Sequence, residues 1–309
     1  MSIVNSLPSY VEQNRDKLIK KSILGAKSAK RFALQTGVKT SSAINLLSTS
    51  ATLQAGSACG WNAAGGSTLT QRVIVAPVIK VNTSYCDKAL LGSALQYDVK
   101  VAAGQKTLPF EEDFVNGVLE DVALQGEKLI WQGDTAGATG TYLDLADGLI
   151  KILKGASVIE STSANKGKIL SASNIKAEVD TVFALIPAEI IGKAEIYMGY
   201  DAYRLYVMAL QALNLYMGSP MVDGEETTYP GSTTKIVAVA GLNGTNQIVA
   251  ANPEHVFYGT DLSGDQEKFD FWYSQDNQEF RLAIQFTQGV QVAFPDQIVF
   301  RNKANTFVA

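Results

Sequence analysis

The chain has 309 residues, a hydrophobic content of 46%, a charged content of 18% and a formal net charge of −4. That length suffices for one large or two ordinary domains with a real core, and a charge-poor surface suits a protein that ends against other subunits, because interface cores are depleted in charge. The negative balance argues against coating of nucleic acid by the whole chain, no apolar run is long enough to span a membrane, and no secretory leader pattern opens the sequence, so Cys59 and Cys86 are expected as reduced cytosolic thiols.

From Ser9 to about Thr36 the pattern is helix-compatible, with Val11, Leu18, Ile19, Ile23 and Leu24 near one face and lysines on the other. Arg15, Lys17, Lys20, Lys21, Lys27, Lys30, Arg31 and Lys39 stand against Glu12 and Asp16, a net +6 that leaves −10 for the remainder. A basic arm on an acidic body fits an arm laid on acidic neighbours, an arm facing a polyanion, or a solvated helix face. With no adjacent element of matching length, the segment reads as an arm and not as a core element.

Residues 40–66 are rich in Ser, Thr, Ala and Gly, and a β-branched stretch follows from Leu69 through Val73, Ile74, Val75, Val78 and Ile79 to Val81. Ile44, Leu46, Leu47 and Leu53 can supply an opposing strand, which gives a two-stranded excursion over 43–83 with a glycine-rich tip at 56–66. A hairpin of that length cannot bury itself, so it needs a neighbour to lie on.

A helix is predicted from Thr107 to Gln132, with Thr107 as N-cap, Pro109 in the first turn and Glu111, Glu112 and Asp113 at the positive end of the dipole. Phe110, Phe114, Val118 and Val122 repeat every four residues, Leu129 and Ile130 continue that side, and Gly133-Asp134 closes the helix. At ~1.5 Å per residue its length is about 39 Å, the dimension of a spine. Residues 133–141 are glycine-rich but lack the Gly-Lys-Ser/Thr ending of a phosphate loop and follow a helix, so they are expected to be a flexible connection.

Helix and strand alternate over 142–218. Asn174 is placed to cap a helix carrying Val179, Val182, Phe183 and Ile186 and stopped by Pro187; Ala194–Met198 reads as a buried strand. Asp201 opens a helix through Leu205, Met208, Leu213 and Tyr216 that is apolar nearly all round and so expected to be buried. Strands at 235–240 and 247–251 flank a turn at Gly241–Gly244. In the closing segment Phe269, Phe271 and Tyr273 alternate, as do Phe280, Leu282, Ile284 and Phe286 across a turn at 274–277; Val290, Val292, Phe294 and Ile298–Phe300 finish the chain.

Residues able to carry chemistry are few. His255 is the sole histidine, which removes most zinc sites and the usual general-base pairs, and neither cysteine has a histidine nearby in sequence. The helix dipole accounts for Glu111–Asp113. Asp223, Glu225 and Glu226, like Asp261, Asp265 and Glu267, read as solvated loop carboxylates without an EF-hand pattern. No catalytic, cofactor-binding or metal residue is assigned, and no cofactor is expected.

Two stretches carry a resemblance. Pro109 to Asp134, ending Gly126-Glu127-Lys128-Leu129-Ile130-Trp131-Gln132-Gly133-Asp134, resembles the spine helix of tailed-bacteriophage major capsid proteins. Asn252 to Val299, through Asn252-Pro253-Glu254-His255 and Phe269-Asp270-Phe271-Trp272-Tyr273 to Phe294-Pro295-Asp296, is similar to the closing strands of such proteins from crAss-like and related phages. The resemblance implies an α+β, Hong Kong 97-like capsid fold: an N-terminal arm at 1–42, an extended E-loop hairpin at 43–83, a P-domain with the spine helix at 84–141 and 253–309, and an A-domain at 142–252. It implies a non-enzymatic subunit that assembles with itself, as hexamers and pentamers, into an icosahedral virion shell made in the host cytoplasm. The expected partners are separate scaffolding, portal and decoration proteins and packaged DNA touched without sequence readout, with no membrane. Some members cross-link through an E-loop lysine; residues 40–71 contain none, so no such bond is expected. An encapsulin-like compartment around protein cargo is the alternative.

Overall fold

The computed structural model describes residues 26–54, 64–86, 110–137, 140–213, 226–261, 268–277 and 279–308. A five-residue helix, α1 (Lys27–Arg31), runs into a short strand, β1 (Ala33–Gln35). Strands β2 (Ser41–Ala51), β3 (Gly65–Val75) and β4 (Val78–Cys86) follow. Then come the 23-residue helix α2 (Phe110–Gln132), α3 (Leu149–Gly155), β5 (Ile159–Glu160) and α4 (Ile175–Ala184). The chain continues through β6 (Glu195–Met198), α5 (Tyr200–Ala212), β7 (Glu226–Thr228), β8 (Lys235–Ala238) and β9 (Ile248–Ala251). It ends with β10 (Val256–Gly259), β11 (Lys268–Ser274), β12 (Glu279–Thr287), β13 (Gly289–Val292) and β14 (Val299–Phe300).

A six-stranded sheet in the order β5-β14-β9-β6-β8-β7 divides the interior. Successive side chains of a strand point to opposite faces. Tyr197, Val237, Val249 and Ala251 therefore join a core with α2 and α3, while Ile196, Ile236, Ile248 and Ala250 join a second core under α4 and α5. With both faces covered, every residue of β6 and β9 is buried. Below α2 lies the ribbon β11-β12-β4, and its alternation is the one predicted: Phe269 pairs with Ile284, Phe271 with Leu282 and Tyr273 with Phe280. Helix α2 faces that core with Val115, Leu119, Val122 and Leu129, a stripe displaced from the predicted four-residue repeat, with Val118 only partly buried. The helix is described from Phe110, and Thr107, its predicted N-cap, lies outside the described residues.

Several expectations shift. The β-branched stretch around Ala76 is two strands and not one. Pro77 has no N–H to continue a ladder, so β3 ends at Val75 as the partner of β2, while β4 pairs along β12 from Val78↔Thr287 to Cys86↔Glu279. The hairpin thus spans 41–75, and 78–86 belongs to the ribbon. Residues 26–35 are not a free arm: Ala26, Ala29 and Phe32 are in the main core and β1 lies parallel to β10. At the other terminus β14 pairs with β9 and β5, so the last strand belongs to the six-stranded sheet and not to the ribbon. Strands β8 and β9 do not form a hairpin, because β6 inserts between them.

Smaller differences have local causes. Helix α5 is amphipathic: Tyr203, Tyr206 and Leu210 are buried, but Met208 and Leu213 are more than half exposed, and Tyr216 lies outside the described residues. The Asn174 side chain does not cap α4; its Oδ1 accepts from Ser171 N at 2.9 Å and its Nδ2 donates to Ile169 O at 3.0 Å, which ties the preceding loop. The glycine-rich connection after α2 is pinned at its ends. Gly148 N donates to Gly133 O at 2.8 Å, and a Cβ on Gly148 would sit 2.6 Å from Gly133 N, so only glycine permits that approach. Lys151 then bridges Asp134 at 2.8 Å and Asp147 at 2.6 Å.

Candidate assembly surfaces

The hairpin β2–β3 pairs over eleven residues on each strand, from Ser41↔Val75 to Ala51↔Gly65, a reach of about 35 Å at strand rise. Only its root is in the body. Ile44, Leu46 and Ile74 pack with Val38, Ala76 and Ala293, and Gln291 Nε2 donates to Val73 O at 2.8 Å. Gly289 and Gly259 give the root its seat: a Cβ on the first would lie 2.1 Å from Val75 O, and on the second 2.6 Å from the Ile74 side chain. Beyond Leu46 on β2 and before Arg72 on β3 every described residue is exposed. Leu47 and Leu69 face each other across the ladder at 62% and 71% exposure, and Leu53 is fully open. The hairpin therefore presents leucines on a two-stranded ladder that no other described element covers. Of the predicted tip at 56–66, residues 56–63 lie outside the described residues, while Gly65 and Gly66 already belong to β3.

A second constellation sits where α1, α2 and the six-stranded sheet meet. Phe32, Trp131 and Tyr197 form an aromatic triangle with centroids 6.0, 5.8 and 5.5 Å apart, one ring from each element. Glu127 on α2 is buried and accepts from Ser28 N at 3.0 Å and Ser28 Oγ at 2.5 Å; Ser28 Oγ in turn accepts from Trp131 Nε1 at 2.7 Å. Burial pushes the Glu127 carboxyl above its ordinary value, while the Ser28 hydrogen bonds and the charge of Lys27 pull it back. Arg31 reaches the sheet: Nη1 donates to both oxygens of Glu195 at 2.8 Å, and Nη2 pairs with Glu226. Tyr197 donates its hydroxyl to Glu195 at 2.9 Å, and burial together with that carboxylate holds the phenol well above its usual range.

The residues examined for chemistry separate. His255 packs edge-to-face on Phe294 at 5.1 Å, with Nε2 3.4 Å from Asn252 Nδ2, and burial lowers its pKa. Cys86 ends β4; Cys59, Asp223, Glu225, Asp265 and Glu267 lie outside the described residues, and nothing is described of the Glu111–Asp113 side chains. Two loop carboxylates differ from expectation: Glu226 is in a strand and paired to Arg31, and Asp261 is buried with its N–H donating to Thr287 Oγ1 at 2.8 Å. Among the described residues no group of three or more His, Cys, Asp or Glu side chains is placed to hold a metal, and no helix is long and apolar enough to cross a membrane. A cleft of about 380 Å³ between the end of α2, α3 and the C-terminal segment contains Lys151, already bound to Asp134 and Asp147, beside Lys154 and Asn246.

Sequence reasoning missed Ser28, Arg31, Glu127 and Glu195 as a set.

No protein-family profile matches the sequence, and no curated relative does. Solved structures do. The chain is similar to a subunit of the satellite phage P4 procapsid that includes the size determination (Sid) protein, with a TM-score of 0.62 at 10% identity over 94% of this chain and 98% of that one. It is similar to a Gordonia phage Cozz structure, with a TM-score of 0.58 at 9% identity over 89% and 85%. A virus-like particle from Pyrococcus furiosus gives 0.52 at 9% identity over 98% and 100%. Likeness at this level of identity is likeness of architecture: the chain has a mixed helix-and-sheet fold that resembles phage capsid folds over nearly the whole of both chains.

Proposed function

We propose that the chain is the major capsid protein of a tailed bacteriophage, which assembles with copies of itself, as hexamers and pentamers, into the icosahedral shell around a double-stranded DNA genome. The observation that carries this reading is the projecting hairpin: Leu47 and Leu69 stand exposed on a ladder with a rooted base and Leu53 just beyond it, a form that gains stability only against another subunit. In a closed shell many such contacts act at once, so each can be weak.

Residues 41–75 act as the extended E-loop and α2 as the spine of the P-domain, with the ribbon β4-β11-β12 beneath it. The six-stranded sheet with α4 and α5 is the A-domain, and the arm proper is the stretch before Ala26. Scaffolding, portal and decoration proteins are separate chains, DNA is met at the inner surface, and the shell forms in the host cytoplasm without an enzymatic step or a lysine cross-link. The phage lineage is that of crAss-like and related phages, on the similarity at 252–299. A second reading, an encapsulin-like compartment, is favoured by the likeness to the archaeal virus-like particle, which spans both chains almost entirely.

Expression of the full chain with candidate scaffolding proteins, followed by electron microscopy, tests the proposal. Closed icosahedral particles support it, a persistent monomer overturns both shell readings, and a small shell filled with an enzyme selects the compartment.

A further inference from the structure

We propose that the Lys27–Phe32 turn is a clasp that fixes the angle between α2 and the six-stranded sheet, with Arg31 as its release point, and that shell geometry is set through that angle. Only the final clause rests on the shell reading.

The geometry is that of a pivot with a strap beside it. Helix α2 packs over the sheet through the core that Trp131 shares with Tyr197 and Val237, and its tightest approach is beside β8: a Cβ on Gly241 would lie 2.2 Å from the Trp131 ring and 2.5 Å from Glu127 O, and Gln132 Nε2 donates to Gly241 O at 2.6 Å. Next to this pivot the α1 turn spans the junction. Ser28 is bound to Glu127 on α2, Arg31 to Glu195 on β6 and Glu226 on β7, and the Phe32 ring lies against both Trp131 and Tyr197. A turn of one short helix therefore touches both α2 and the sheet, with its polar contacts divided between them.

Arg31 is the release point because of what its departure leaves. Glu195 and Glu226 are both largely buried and share one guanidinium. Without it, two carboxylates that converge on one spot face each other, and like charges at close range in a part-buried site repel. Removing the cation does more than delete a contact: it leaves the carboxylates of β6 and β7 repelling each other on either side of β8. With Ser28 and Phe32 as the strap's remaining contacts, this side of the sheet can shift against α2 about the close approach at Gly241. Packed junctions of this kind have discrete arrangements and do not deform continuously, so two subunit shapes follow from one clasp, closed or open.

The test uses the full chain with Cys59 and Cys86 replaced by Ser and spin labels at Leu124 on α2 and Met208 on α5, both exposed. The expected result is a single narrow inter-label distance in the parent protein and Arg31→Lys, and a shifted or two-population distribution in Arg31→Ala. Amide exchange in β6 and β7 should rise roughly tenfold in Arg31→Ala, with that of the ribbon β11–β12 unchanged. An unaltered distance distribution in Arg31→Ala overturns the clasp. If Arg31→Ala does not fold, Arg31→Gln, which removes the charge but keeps a hydrogen-bonding side chain, must show the same change at smaller amplitude, and no change there also overturns it. Particle diameter is read separately: parent chains that form no particles refute the shell reading and leave the distance result standing, while particles of equal size from variants with an altered distance overturn the step from angle to shell geometry.

Discussion

Arg301 and Glu178, 123 residues apart, meet as an ion pair with both side chains fully buried, Nε to Oε2 at 2.6 Å. Both other guanidinium nitrogens donate as well: Nη1 to Asn246 O at 2.7 Å, and Nη2 to Asn165 O at 2.9 Å and Lys168 O at 2.8 Å. The second Glu178 oxygen accepts from Ser163 Oγ, and the Phe307 ring lies 5.2 Å from the guanidinium. A buried charge left without its partner costs about 3–5 kcal/mol, whereas replacing both partners by apolar groups of similar size is often close to neutral. Arg301→Met or Glu178→Gln should each lower the denaturant midpoint strongly, and Glu178→Leu with Arg301→Met should recover a large part of the loss. Equal losses in single and double variants would show that the backbone carbonyls, not the pair, set the stability.

Glu127 gives the folded state a distinct pH response. Its folded-state pKa stands above the ordinary 4.5 because burial outweighs the Ser28 hydrogen bonds. A carboxyl raised in the folded state contributes stability below its unfolded pKa and loses it as pH rises through the folded value. Asp134 and Asp147, both lowered and held by Lys151, work in the opposite direction. Comparison with Glu127→Gln isolates the first effect: the stability of the parent relative to the variant should be greatest near about pH 4 and decline as pH rises. Denaturant midpoints over a pH series check this, and a relative stability that climbs with pH contradicts it.

The hairpin makes a prediction that separates folding from association. Leu47→Ser with Leu69→Ser changes two residues that face each other and are exposed at 62% and 71%. Exposed substitutions away from packed features fall within about 0.5 kcal/mol, so the monomer's thermal midpoint should hold. Sedimentation should nonetheless show loss of closed particles. Normal assembly by the double variant would mean that the ladder's backbone or its tip, and not these leucines, makes the contact.

What could be read from the sequence was what local periodicity carries. The ribbon register follows from Phe269, Phe271, Leu282 and Ile284 because one face is buried, and a slip of one residue would expose them all. The hairpin was visible in outline, but its end was not. Val73 to Val81 is rich in β-branched residues on both sides of Pro77, and what the sequence does not show is that the two halves take different partners, β2 and β12, distant in sequence. The basic character of 12–39 hid the junction for a similar reason. A lysine-rich pattern suggests solvent, and nothing local reveals that Ser28, Arg31 and Phe32 meet Glu127, Glu195 and Tyr197. Buried ion pairs such as Arg301–Glu178 leave no periodic trace.

That packing changes where the chain can be cut. The sequence alone suggests that residues 1–36 can be removed with the body left folded. Ala26, Ala29 and Phe32 are, however, core residues, and β1 extends the β10–β13 sheet. Removing residues 1–25 leaves all of these contacts in place, whereas removing 1–36 deletes a buried phenylalanine and the only described partner of both Glu195 and Glu226 that carries a positive charge. Loss of a buried Phe side chain alone costs about 3–5 kcal/mol. The shorter truncation should thus retain the parent's unfolding midpoint while its assembly falls, and the longer one should unfold at markedly lower temperature or not accumulate. Circular dichroism melts of the two truncations distinguish these outcomes. If both melt together with the parent, the α1–β1 segment contributes nothing to the body and the arm extends to residue 36 after all; if the shorter one assembles normally, the stretch before Ala26 has no part in shell closure.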